Sequence, residues 1–203
     1  MKHGPLPPSA PAAARACAQN EGMNVFLIQA CANRLANRRL LGAVAQLSEA
    51  DFHAPRTSFF PSLAKTLNHV LNVDHYYLAA LHGDVTMRQI WAAYVPAATA
   101  TELAARQDES DRRLIAFCEA LAPVDDERIV AFDRGAGIEA GPREPLGRVL
   151  AHLFMHQIHH RGQAHAMLAG TAVKPPQLDD FILLGDDKHR VPDMAALGWH
   201  EPV

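Results

Sequence analysis

Four stretches of the chain carry apolar residues at intervals of three and four, the period of a helix with one buried face. Over 24–47 the stripe is Phe26, Leu27, Ala30, Cys31, Leu35, Leu41 and Val44, with Arg34, Arg38 and Arg39 between its members. Over 62–81 it is Leu63, Leu67, Val70, Leu71, Tyr77, Leu78 and Leu81, while Lys65, Asn68, Asn72, His75 and His82 lie opposite. Pro61 suits the first turn of that helix, and His82-Gly83-Asp84 ends it. The stretch 99–122 buries Leu103, Leu114, Phe117, Cys118 and Leu121 and exposes Glu102, Arg106, Asp108, Glu109, Arg112 and Arg113. The last begins near Glu144 and Pro145 and stops at Gly170, with Leu146, Val149, Leu150, Leu153, Ala164, Met167 and Leu168 on one side.

The intervening pieces are short. Residues 48–61 read as a loop, and a connection containing Pro96 follows the second helix. Residues 128–133 have a strand-like composition and 134–137 a turn-like one, predicting a short hairpin that ends before Pro142. Beyond Gly170 come Lys174-Pro175-Pro176, a short apolar piece over 178–184 and a loop-like end. Four long amphipathic segments with one β excursion predict an all-α four-helix bundle with a small β-hairpin before the fourth helix. The bundle spans 23–184. Residues 1–22, with Pro5, Pro7, Pro8 and Pro11, form a disordered or extended tail, and 185–203 a C-terminal extension that packs on the bundle or trails from it.

Composition narrows the classes. A 203-residue chain, 49% hydrophobic and 20% charged, is expected to form one soluble domain. A formal net charge of −3 argues against a nucleic-acid surface. No apolar run approaches the roughly 20 residues that span a bilayer, so no membrane partner is expected. Cys17, Cys31 and Cys118 are scattered and form no CxxC, which argues against a disulfide framework and for a cytoplasmic setting. The early prolines break any secretory apolar region.

The chemistry concentrates in the fourth helix. His152, His156, His159, His160 and His165 are five of the chain's twelve histidines. His156 and His160, four apart, share one helical side about 6 Å apart along the axis. At about 100° per residue both fall inside the apolar face, with His152 and His159 at its margin and His165 pointing away. An unpaired polar group buried there costs roughly 1–3 kcal/mol. Either neighbours satisfy these imidazoles by hydrogen bonds, or they share a metal. A third ligand must come from another helix, and His69 is the best candidate, at the margin of the second helix's apolar face beside Thr66, Val73 and Tyr76. Three imidazoles suit Zn²⁺ or Ni²⁺ better than Mg²⁺ or Ca²⁺ and leave a position for water or substrate. His152 is a candidate to orient a ligand, and Gln163, pointing near His156, to bond a ligand's free nitrogen or a metal-bound water. Arg161 is either solvated or paired with a carboxylate such as Asp74 or Asp180. His75, His82 and His165 read as solvated surface residues.

Several strings resemble the DinB family of metal-binding four-helix-bundle proteins, the DinB/YfiT-like superfamily. They are Ala30-Cys31-Ala32-Asn33-Arg34 followed by 37–41, then 67–71 with Asn68-His69, Asp74, the run His152 to Gln163 with its HxxxHHRGQ pattern, and 175–179. The resemblance covers about 23–184. It departs at 29–32, Gln-Ala-Cys-Ala, which lacks the aromatic residue often found there. The resemblance implies a divalent metal on His69, His156 and His160, and a homodimer. It further implies an enzyme of the thiol-dependent transferase or isomerase type. A low-molecular-weight thiol would act on a small electrophile, with His159 or His152 as catalytic proton shuttle. A hydrolase using metal-bound water, or a non-catalytic stress-associated metal-binding protein, are the alternatives.

Overall fold

Three of the four long helices start where a small hydroxyl side chain or a strand hands over to an apolar stripe. The computed structural model describes residues 25–133 and 141–199. Helix α1 spans Val25–Val44, and a short α2, Glu49–His53, is capped by Ser48. Helix α3, Leu63–Leu81, is capped by Ser62, whose Oγ accepts from the Lys65 N–H at 3.1 Å. Pro61 therefore precedes the cap instead of occupying the first turn. Gly83, at φ 73°, turns the chain out of α3 in the left-handed conformation that glycine tolerates. A short α4, Met87–Ala92, then occupies the expected loop. Helix α5, Ala100–Glu119, is capped by Thr99. Strands β1, Ile129–Ala131, and β2, Arg143–Pro145, pair antiparallel, Val130 opposite Glu144, and lead directly into α6, Leu146–Ala169. The second strand thus lies beyond Pro142. The expected turn at 134–137 and the expected tail at 1–22 lie outside the described residues.

The four long helices pack in a closed cycle: α1 against α5 and α6, and α3 against the same two. Residues 185–199, expected to be loop-like, contain helix α7, Asp187–Leu197, with Pro192 inside it. Met194 and Trp199 bury themselves in the apolar core, which is what holds this end to the molecule. Arg39 of α1 clamps it further, with Nη1 on Asp180 at 2.7 Å, Nε on Asp193 at 2.8 Å and Nη2 on the His189 carbonyl at 2.7 Å. No helix among the described residues is long and apolar enough to cross a membrane. Cys118 is a buried thiol outside any disulfide, whereas Cys31 is disulfide-bonded, which its scattered spacing does not anticipate.

The core has two apolar clusters, one built on Leu35, Leu78, Leu114 and Leu153, the other on Leu40, Leu71, Leu103 and Leu168. Between them all four long helices contribute to a buried polar layer of Asn33, Asn37, Asp74, Gln107, Asp111, Gln157 and Arg161. Asp111 accepts from Asn33 at 3.2 Å, Asn37 at 3.1 Å and Gln107 at 3.1 Å. Asp74 accepts from Gln107 at 2.7 Å and Gln157 at 2.5 Å. Arg161 donates from Nη1 to the side-chain oxygens of Asn33 and Asn37. Its expected carboxylate partners are therefore corrected. Asp180 belongs to Arg39, and Asp74 and Asp111 face Arg161 only through space or through amides. Asn68, expected on the polar side, is buried too, where its amide holds the backbone of Ala97.

Burial, with the Asp111 charge beside it, pushes Asp74 up to about 8, while burial raises Asp111 only to about 6. At neutral pH the layer therefore holds one cation, Arg161, one anion, Asp111, and a protonated Asp74. The Gln157 Oε1 is buried and unpartnered. Exchanging that amide's O and N places an acceptor 2.5 Å from Asp74 Oδ1, an O–H···O distance.

A proton gained on folding penalises the folded state as pH rises. Asp74 binds its proton between about 3.8 and about 8 in the fold but not in the unfolded chain, so stability falls across that window and levels above it. Asp74→Asn removes this slope. Urea midpoints measured from pH 5 to 9 should show the variant gaining on wild type up to about pH 8. Parallel profiles would contradict the buried proton.

Candidate metal centre

The α3–α6 contact at the level of the polar layer brings three histidines together. His69 comes from α3, His156 and His160 from successive turns of α6. Each offers one ring nitrogen, and the three nitrogens lie within 4.8 Å of one another. His69 Nε2 and His156 Nε2 are 3.0 Å apart. That separation fits a shared hydrogen bond, and it is also close to the edge of a tetrahedral site with metal–nitrogen distances of about 2.0–2.1 Å.

The electrostatics favour lone pairs over charge. Burial, reinforced by the neighbouring His160, lowers His69 to about 4; burial and the surrounding histidines lower His156 to about 3. His160 is lowered by burial as well, against the Gln163 hydrogen bond. All three rings are thus neutral near pH 7, the state that a metal ligand requires. The donor set is three nitrogens with no carboxylate, and it fits a borderline-soft divalent ion. Among the described residues no fourth His, Cys, Asp or Glu joins the group.

Gln163 orients one of the rings. Its Oε1 lies 2.8 Å from His160 Nδ1, so a hydrogen on Nδ1 leaves the Nε2 lone pair for the site. Its Nε2 then donates to His159 Nε2 at 3.1 Å. The expectation that Gln163 lies near His156 is corrected: it serves His160. His156 Nδ1 and, on the facing helix α3, Asn72 Oδ1 are both buried without a partner.

His152 and His159 are exposed beside the cluster. His152 stacks on Tyr77 at 5.8 Å and shares a 2.7 Å hydrogen bond between Nδ1 and the Tyr77 hydroxyl, so it orients no ligand directly. His165 sits apart, half-buried, with Nε2 on the Pro176 carbonyl at 2.9 Å. His75, expected to be solvated, is half-buried against Tyr94, and desolvation lowers it. Two aromatic neighbours carry no signal in the apolar periodicity. Phe60, in the loop before α3, packs 4.4 Å from His69 and 5.6 Å from His160. Trp91, on the unexpected α4, meets His69 edge-on at 6.3 Å and Tyr76 at 6.1 Å. The doublet Phe59-Phe60 just before a cap was the available clue.

A model described as the DinB family matches residues 24–185. No curated protein matches the chain.

Removing the Gln163 contact frees the His160 tautomer without touching a nitrogen of the site. Gln163→Leu should weaken Zn²⁺ binding by about 10–100-fold in a chelator competition, with the helical signal unchanged. Wild-type affinity in that variant would show that Gln163 does not set the ring.

Proposed function

The chain belongs to the DinB family, and on that footing we propose that it is a divalent-metal enzyme of the thiol-dependent transferase or isomerase type. His69, His156 and His160 would hold Zn²⁺ or Ni²⁺ at one edge of a bundle formed by the four long helices. The observation that carries this reading is the convergence of three neutral imidazoles with no fourth His, Cys, Asp or Glu among the described residues, a pattern of catalytic rather than structural sites. A divalent ion bound there supplies the Lewis acidity that lowers a thiol's pKa.

The nucleophilic sulfur has to arrive with a cosubstrate. Burial pushes the Cys118 thiol up to about 12, inside the core, and Cys31 is disulfide-bonded. In the transfer an external thiol gives up its S–H proton and its sulfur bonds to the electrophilic carbon. The leaving group departs with the electron pair of the broken bond. Phe60 and Trp91 pack against His69 on one side of the cluster, with Tyr76 against Trp91. The hydrolase alternative needs a general base for metal-bound water, and the run His156 to His160 lacks the glutamate of an HExxH motif.

The two proton-shuttle candidates differ in their hydrogen bonds. His159 Nε2 accepts from the Gln163 amide, whose direction His160 fixes, so protonation there breaks a bond. His152 faces a rotatable hydroxyl that donates to Nδ1 or accepts from it, so this ring holds or releases a proton at Nε2 with its contact intact. His152 is therefore the favoured shuttle.

Metal-replete protein screened with low-molecular-weight thiols and small electrophiles tests the reading. His156→Ala should lose both the metal and at least about 100-fold in rate, and His152→Ala about 100-fold with metal retained. His159→Ala should lose less. Activity untouched in His156→Ala would remove the metal from the mechanism.

A further inference from the structure

About half a turn around α6 from His156 and His160, a cavity of about 470 Å³ opens between α1, α6 and the segment 176–182. Its walls are apolar: Phe154 and Ile158 from α6, Leu178, Phe181 and Ile182 from the covering segment. One lining residue breaks the pattern. Arg161 is 9% exposed, and its Nη1 is taken by Asn33 and Asn37. Its Nε and Nη2 donate to no group among the described residues, yet they are not among the buried atoms cut off without a partner. This edge of the guanidinium is open. Side by side, Nε–H and Nη2–H form the fork that matches the two oxygens of one carboxylate.

Gln29 adds an uncharged amide to the cavity wall, and the two other titratable groups there are hydrogen-bonded. His165 Nε2 is on the Pro176 carbonyl, and Asp179, exposed, accepts from the Gln177 amide. One free cationic fork at the base of an apolar cavity defines the occupant. We propose that this cavity binds a small monocarboxylate with an apolar body, its carboxylate on the open edge of Arg161 and its body between Phe154, Ile158 and the 178–182 segment. A monoanion fits better than a phosphate dianion, because Asp111 already faces this guanidinium from within the polar layer. The site is separate from the histidine cluster and does not rest on the metal reading.

Sodium octanoate is the probe, titrated calorimetrically into full-length wild type and into His156→Ala, with 1-octanol and octylammonium as controls. Octanoate should bind one per chain with equal affinity in both proteins, about ten-fold or more tighter than octanol. Octylammonium should not bind. Ile158 is 63% exposed at the cavity wall, so Ile158→Glu leaves the core alone and should weaken octanoate about ten-fold while octanol is little changed. Arg161→Gln should abolish the preference for octanoate, and if that variant fails to fold, Ile158→Glu carries the test. Absence of octanoate binding, equal binding of octanoate and octanol, or indifference to Ile158→Glu would overturn the proposal. Octanoate binding lost in His156→Ala would place the anion at the histidines and overturn it as well.

Discussion

A guanidinium and two carboxylates buried at mid-height between four helices impose the constraint that everything else accommodates. Placing Arg161, Asp74 and Asp111 out of water costs several kcal/mol per ion unless charge is balanced and every donor finds an acceptor. The layer balances its charge and pairs most of its polar groups by using amides as spacers, Asn33 and Asn37 between Arg161 and Asp111, Gln107 between the two carboxyls. It also leaves one carboxyl protonated. A slip of any one long helix by a turn would unpair several of these groups. The layer thus sets the register of the helices, and the two apolar clusters fill the space above and below it.

The histidine cluster depends on that register. Gln157 and Arg161 point into the layer from α6, and His156 and His160, each one residue earlier, face α3 as a result. Asp74, which Gln157 meets, lies on α3 between one and two turns beyond His69. The same two helices are therefore pinned by polar contacts on one side of their seam and carry three imidazoles on the other. The site inherits its preorganisation from the core, and Gln163 adds the final setting of one ring.

The four long helices were legible because each buries a single apolar stripe, and the histidine pair because it interrupts such a stripe with i, i+4 spacing. The polar layer carries the same spacing and was not legible from it. Asn33 with Asn37, Gln107 with Asp111, and Gln157 with Arg161 are all i, i+4 pairs, but polar residues beside a stripe usually mark its solvent edge. Helix α4 was hidden by its length, six residues with only Met87 buried, and α7 by Pro192, whose breaking tendency is overcome by the burial of Met194 and Trp199. Phe60 and Trp91 reach the site from a loop and from that short helix, and periodicity carries no information about such places.

The central claim is that His69, His156 and His160 together hold a divalent ion through nitrogen alone. X-ray absorption at the zinc edge of the zinc-loaded protein reads the coordination shell directly. The structure predicts a shell with three imidazole nitrogens at about 2.0–2.1 Å and light-atom occupancy of the open position. A shell containing sulfur, one with fewer than three imidazoles, or one unchanged by His69→Ala would contradict it.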